Sequence, residues 1–213
     1  MMPDQMRRQL RLIGSSDEQV LRVLARMRGL ADWPYAWEAE ADARVAAGDW
    51  HGAFTGWYVA QRILMAPSPL KQRLYERSIE AYARIDQPPL ERFFVPNPRG
   101  ERIAGYLQLP TTARESERVP CVLMVPGITG AKEELHAYCM PLLRRGFAIA
   151  RIDNPVYGET EGLLDRVSTP NARSVLEHLA RDPRLDPDAL HLHGMSMGAN
   201  FALHSALGST LPA

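Results

Sequence analysis

Ala189-Leu190-His191-Leu192-His193 runs straight into Gly194-Met195-Ser196-Met197-Gly198, and Ala199–Leu207 continues without a break. The first five residues read as a short buried strand, and the stretch from Met197 to Leu207 reads as a helix. Between them stands G-x-S-x-G. At a sharp strand-to-helix turn this motif lifts a serine hydroxyl above the end of a sheet. The two glycines answer a steric need, because a Cβ at either flank would clash where strand and helix close on each other. The bare pattern is weak, since it arises readily by chance. The strand before it and the helix after it make Ser196 a candidate nucleophile.

Upstream the same alternation recurs. Val119–Val125 is a continuous apolar run, the kind found in strands buried on both faces. It leads into the tight loop Pro126-Gly127-Ile128-Thr129-Gly130 and a helix from Lys132 to Arg145, which Gly146 ends. Phe147–Ile152 is the next strand, the loop Asn154-Pro155-Val156-Tyr157-Gly158 follows, and a helix is predicted over Pro170–Arg181. Ahead of all this, Glu91–Pro96 and Arg102–Leu109 form a hairpin around Asn97-Pro98-Arg99-Gly100. An antiparallel hairpin followed by strand–helix repeats predicts an α/β fold with a mostly parallel sheet. Right-handed crossovers then put helices on both faces.

A serine that attacks a carbonyl also needs donors for the developing oxyanion. The N–H following the nucleophile, here Met197, is one. The other comes from the loop after the earlier buried strand. Ile128 is the first choice there, with Thr129 next, and Gly127 lets the backbone approach a ligand. Lys132 follows glycines as in a phosphate loop, but Glu133 comes next and no Gly-Lys-Ser/Thr is present. No G-x-G-x-x-G follows any strand, which argues against a dinucleotide site.

Residues 1–86 have a different character, with apolar spacing that is helical. Ser15 and Ser16, with Glu18 and Gln19 three residues on, look like capping boxes before the stripe Val20, Leu21, Val23, Leu24, Met27 and Leu30. Further helices are predicted from Trp33-Pro34 to Gly48, from Asp49 to Met65, and from Ser68-Pro69 to Ile85. All four tryptophans lie here: Trp33, Trp37, Trp50 and Trp57. They glue the helices together, or else a few, Trp57 and Tyr58 first, line a substrate pocket.

Composition bounds the rest. The 213 residues carry 25 Lys+Arg against 25 Asp+Glu, so no net charge points to nucleic acid or an anionic membrane. Two cysteines, Cys121 and Cys139, make neither a disulfide framework nor a zinc pattern. No apolar run reaches membrane-spanning length, and the start lacks the apolar core of a secretory signal. A cytoplasmic protein with no metal or cofactor is expected.

The chain resembles the α/β-hydrolase family, more narrowly its FrsA-like group with an N-terminal helical cap. The matching residues begin with Trp50, Gly56-Trp57-Tyr58 and Lys71…Tyr75. They continue through Val95-Pro96…Ile103-Ala104-Gly105-Tyr106-Leu107 and Pro120-Cys121-Val122-Leu123…Gly127 to Lys132-Glu133-Glu134. Arg145-Gly146, Asp153-Asn154-Pro155…Gly158-Glu159 and Gly194–Gly198 complete the set. The resemblance implies a cofactor-free hydrolase acting on a small molecule. It would cleave an ester, an amide or a carbon–carbon bond next to a ketone, with residues 1–86 as cap and 87–213 as a partial hydrolase core. It also implies that Asp153 and Glu159 shape the site. Some carbon–carbon cleaving members carry an acid where this chain has Thr129, which weighs against that chemistry.

The family order is Ser, then Asp or Glu, then His. After Ser196 there is no carboxylate, and the one histidine, His204, stands eight residues along the helix, about 12 Å up its axis. His191 and His193 read as ordinary strand residues and His136 as solvated helix surface. A rearranged triad using Asp153 or Glu159 is the minor alternative. The expectation is therefore a core cut off after the serine turn and inactive by itself. The competing reading is a non-catalytic remnant or interaction module that uses the helical cap, and a homodimer is left open.

Overall fold

The computed structural model describes residues 4–114, 117–155, 157–163 and 171–207. Contacts divide the chain into two compact units, Met1–Gln87 and Pro88–Ala213.

The first unit is helical. Its elements are α1 (Asp4–Ile13), α2 (Asp17–Arg26), α3 (Trp33–Ala46), α4 (Trp50–Gln61) and α5 (Pro69–Tyr82). Three of them start where side-chain caps are available. Ser16 Oγ accepts from Gln19 N–H (3.1 Å), Asp49 Oδ1 from Gly52 N–H (2.8 Å) and Ser68 Oγ from Lys71 N–H (3.2 Å). Ser15 is buried and serves no cap in this way. Helix α1 was not expected from the sequence, because from residue 6 onward its arginine-rich surface buries only Leu10 and Ile13. α4 is buried along its length from Gly52 to Gln61 and forms the centre of the unit. At Gly56 a Cβ would come within 2.8 Å of Ala41 Cβ, so this glycine sets how closely α4 approaches α3.

One charged group lies deep in this unit. Glu40, 1% exposed, accepts from Arg22 and Arg44 at Oε1 and from Arg26 at Oε2, each at 3.0 Å. Removing a buried carboxylate strands its cations. The arginines here are partly exposed, so the loss falls at the low end of the usual range. Glu40→Ala should cost about 3 kcal/mol. Because every tryptophan belongs to this unit, tryptophan fluorescence during urea unfolding reads that loss directly.

The second unit is the predicted α/β sheet. Its strands are β1 (Glu91–Pro96), β2 (Arg102–Gln108), β3 (Val119–Val125), β4 (Ala148–Ile152) and β5 (Leu185–Gly194), in the spatial order β1-β2-β4-β3-β5. β1 and β2 form the antiparallel hairpin, β2 joins β4 antiparallel, and β3 lies parallel to both β4 and β5. Asn97 Oδ1 fixes the hairpin turn by accepting from Arg99 and Glu101 N–H, both at 2.9 Å. Gly100 supplies the positive φ (+80°) that the turn requires.

Side chains alternate cleanly across β3. Cys121, Leu123 and Val125 join Ala148, Ala150 and Ile152 on the face packed by α7 (Asn171–Leu179) and by Phe201 of α8 (Met197–Leu207). Val122, Met124 and Ile149 meet Leu135, Cys139 and Leu143 on the other face, against α6 (His136–Leu143). A parallel sheet covered on both faces explains why β3 and β4 read as unbroken apolar runs. The single helix predicted from Lys132 is in fact a 3-10 turn, Lys132–Leu135, followed by α6. The predicted buried strand at Ala189–His193 is also corrected. β5 is longer and lies at the sheet edge with His191 and His193 exposed, because no described strand pairs on its far side.

Candidate active site

Ser196 stands where β5 ends and α8 begins, and it is exposed. Its φ is +54°, the one positive φ outside glycine among the described residues. A β-carbon in that region is strained, a cost that persists only where the surroundings over-determine the turn. They do so here. Met195 N–H donates to Val125 O (3.0 Å) and Gly198 N–H to Met195 O (2.9 Å). A Cβ on Gly194 would lie 2.3 Å from Gly198 O, and one on Gly198 would lie 2.3 Å from both Val125 O and Pro126 O. Each glycine is thus required by backbone on the opposite side of the turn.

The loop after β3 abuts the serine. A Cβ on Gly127 would sit 3.5 Å from Ser196 Cβ. Gly130 N–H closes a turn onto Gly127 O at 3.0 Å, which places Ile128 and Thr129 at its tip, with Ile128 42% exposed. Met197 opens α8, so its N–H is one of the first-turn donors that a helix leaves without an internal acceptor. The candidate donors Met197 and Ile128 therefore come from the two segments that meet at Ser196.

Behind this loop lies a buried ionic cluster that the sequence reading did not identify. Lys132, fully buried, brings Nζ to Asp153 Oδ2 (2.8 Å), Glu159 Oε2 (2.9 Å) and Glu133 Oε1 (3.0 Å), and lies 4.8 Å from the Tyr106 ring centre. Asp153 Oδ1 accepts from Lys132 N–H (2.7 Å), and its Oδ2 also accepts from Glu159 N–H (2.8 Å). Arg92 reaches the other oxygen of Glu159. Asn154 Nδ2 donates to Pro126 O (2.9 Å) and Gly127 O (3.0 Å). The loops after β3 and β4 are thus tied together by charge and by Asn154. The signal available in the sequence was an Asp-Asn pair leaving one buried strand and a lysine two residues past the glycine loop of its neighbour.

Electrostatics within the cluster pull in different directions. Burial, reinforced by Glu133, outweighs Lys132 and pushes the Asp153 carboxyl up to about 6. Burial acts the same way on Glu159, but Lys132, Arg92 and Arg102 outweigh it and hold that carboxyl low. Burial opposes the charge on Lys132, yet Glu133, Asp153, Tyr106 and Glu159 keep it firmly protonated. Both oxygens of Asp153 are spent on Lys132 and Glu159, which leaves it badly placed to orient an imidazole. Among the described residues no group of His, Cys, Asp and Glu forms a metal site.

His136 is buried, 9% exposed, rather than solvated, because it opens α6 against the sheet. His204 is exposed on α8. Trp57 and Tyr58 are interior to the helical unit, at 4% and 0% exposure, with the Arg77 guanidinium 4.1 Å above the Trp57 ring.

A strained, exposed serine between a strand and a helix, on a sheet covered by helices, defines an α/β-hydrolase fold. The chain belongs to the FrsA-like esterase family, whose profile matches residues 42–209. It is 28% identical over 189 residues to 2,6-dihydropseudooxynicotine hydrolase from Paenarthrobacter nicotinovorans, covering 80% of this chain and 48% of that protein. A structure of wild-type AbyA5 superposes with a TM-score of 0.74 at 28% identity, over 89% of this chain and 54% of that one. The 2,6-dihydroxy-pseudo-oxynicotine hydrolase crystal structure shares the fold, with a TM-score of 0.68 over 95% of this chain and 61% of that chain at 24% identity. The chain thus spans about half the length of the relatives it matches. No described helix is long and apolar enough to cross a membrane.

Proposed function

We propose that this chain carries the nucleophile half of a serine hydrolase that acts on a small carbonyl compound. Ser196 Oγ attacks the carbonyl carbon and its proton passes to a base. The negative charge on the carbonyl oxygen is met by the N–H groups of Met197 and Ile128. Collapse of that intermediate expels an alcohol from an ester, or the enolate of a ketone if the cleaved bond is carbon–carbon, and leaves an acyl-serine that water releases. Thr129 at the tip of the loop, in place of an acid, favours the ester. The helical unit is assigned the role of a cap that governs substrate choice, with Trp57 and Tyr58 supporting it by interior packing.

The observation that carries this reading is the φ of +54° at exposed Ser196, held between two glycines that tolerate no Cβ. A surface Gly/Ser turn has no reason to bear that strain. Among the residues after the serine, His204 is exposed on α8 and no carboxylate is present. At pH ~7 the chain should therefore hydrolyse p-nitrophenyl acetate no faster than Ser196→Ala. At about pH 9.5, where hydroxide can remove the proton, a fluorophosphonate should modify Ser196 ahead of every other serine. Mass spectrometry of the digested adduct reads the site. An adduct spread over several serines, or one that persists in Ser196→Ala, would remove Ser196 from the role.

A further inference from the structure

The loop that carries Ile128 is held from behind by one neutral side chain. Asn154 follows the end of β4 and is buried, 3% exposed. Pro155 biases it toward extended backbone, and Tyr157 N–H closes a turn onto Asn154 O at 3.2 Å. A side-chain amide has two hydrogens to donate. Here they meet two successive carbonyls, Pro126 O (2.9 Å) and Gly127 O (3.0 Å). Gly127 O also accepts from Gly130 N–H (3.0 Å), so both of its lone pairs are used. The peptide between Gly127 and Ile128 is trans, and in a trans peptide the N–H points opposite to the C=O. Fixing Gly127 O on the buried Asn154 therefore turns the Ile128 N–H away from the interior. Gly127 makes that hold necessary, because glycine tolerates either orientation of the peptide that follows it. Turned over, this peptide would present an oxygen where the oxyanion is to be met. Pro126 O, the second acceptor, is also where α8 rests, since a Cβ on Gly198 would come within 2.3 Å of it. Asn154 thus grips the loop beside the Met197 donor as well.

From this arrangement we infer that Asn154 is a positioning residue for the oxyanion site. It keeps the Gly127–Ile128 peptide in the orientation that offers the Ile128 N–H to the substrate's carbonyl oxygen. The inference rests on the nucleophile reading of Ser196, with Ile128 as one of its donors. The ionic cluster ties the same two loops, but it takes hold at Lys132, past Gly130, and leaves the Gly127–Ile128 peptide untouched. The group at position 154 has to be a donor. A carboxylate of the same shape only accepts, and it would face two carbonyl oxygens. Supporting a reacting group through a buried partner is the general means by which a site keeps its geometry.

Two reagents that differ in one atom separate positioning from general damage. With a fluorophosphonate at about pH 9.5, hydroxide takes the hydroxyl proton, Ser196 Oγ bonds to phosphorus and fluoride leaves, while negative charge builds on the P=O oxygen. The thiono analogue puts that charge on sulfur, a weak acceptor. The readout is the ratio of oxo to thiono rates at Ser196, divided by the same ratio for hydroxide in solution. In the native chain it should be about 100 or more, the scale of one oxyanion donor. In Asn154→Asp it should fall at least about tenfold, and in Asn154→Ala it should fall in the same direction by a smaller factor. Circular dichroism establishes that each variant is folded. A high native ratio that both variants keep would overturn the role of Asn154 and leave Ser196 as the nucleophile. So would a loss in which the oxo and thiono rates fall together, since that is the mark of a merely structural residue. A native ratio near one, or an adduct away from Ser196, would instead refute the hydrolase reading, and the inference with it. If Asn154→Asp does not fold, Asn154→Ala decides by the same ratio.

Discussion

Replacing Lys132 with methionine is expected to destabilise the sheet unit by about 4 kcal/mol at pH 7. Three carboxylates, Glu133, Asp153 and Glu159, approach Lys132 Nζ within 3.0 Å. Methionine fills a similar volume but takes the cation from the buried carboxylates of Glu133 and Asp153, while Glu159 keeps Arg92, and loss of one partner of a buried ion pair is strongly destabilising. The pH dependence gives a second reading. Without the cation, which lowers both, the folded-state pKa values of Asp153 and Glu159 rise, and a group whose folded pKa is raised stabilises the fold as pH falls. Part of the loss should therefore be recovered by about pH 5. The native cluster behaves differently. The depressed Glu159 carboxyl contributes stability that is lost as pH falls through its folded pKa, whereas Asp153, raised to about 6, contributes most below its ordinary value of 3.8 and loses that contribution as pH rises through about 6. Circular dichroism of urea unfolding at the two pH values tests this, since tryptophan fluorescence reports only the helical unit. A loss below ~1 kcal/mol, or one indifferent to pH, would mean that the cluster is not the tie between the loops.

The second large effect concerns Gly198. A methyl there meets Val125 O and Pro126 O at 2.3 Å, and both are backbone atoms that cannot swing aside. Gly198→Ala should cost about 3 kcal/mol, the upper end of what overpacking does, and abolish modification of Ser196 by displacing the turn. Gly127→Ala is the control. Its added methyl comes to 3.5 Å of Ser196 Cβ, an ordinary contact, so stability should change by less than ~1 kcal/mol. Similar losses in the two variants would show that the turn tolerates movement, and the argument from its rigidity would fail.

How far the sequence alone could reach depends on the residue. β3 has the bounds its apolar run predicted, Val119–Val125, because a strand buried on both faces advertises itself at every position. The serine turn was equally legible, since it combines a motif with a change of hydrophobic period. Helix α1 was not. From residue 6 onward it buries two side chains, so almost no periodicity marks it. β5 extends beyond the apolar run Ala189–His193 because pairing with β3 resumes at Leu185 across a bulge, which apolar patterning does not mark. Lys132 reads in the sequence as a helix start, a failed phosphate-loop lysine and part of the Lys132-Glu133-Glu134 family match, with no ionic role. Nothing local says that its side chain is buried, because the groups that pay for that burial stand up to 27 residues away. His136 went wrong for the same reason, as burial is a property of the assembled sheet. Trp57 and Tyr58 allowed two readings, and their burial within the helical unit favours packing.

The proposed role of Ser196 as a nucleophile, with Met197 and Ile128 as its oxyanion donors and no general base acting on it in this chain, makes a direct kinetic prediction. The pH dependence of its phosphonylation tests this most directly. Without a general base, the rate should climb about tenfold per pH unit from ~6 to ~9 with no plateau, as expected for an alkoxide formed by hydroxide. A plateau governed by a group titrating near 6.5 would reveal an imidazole already acting on the serine. If His136→Gln removed that plateau, the base would lie inside this chain and the account would be contradicted.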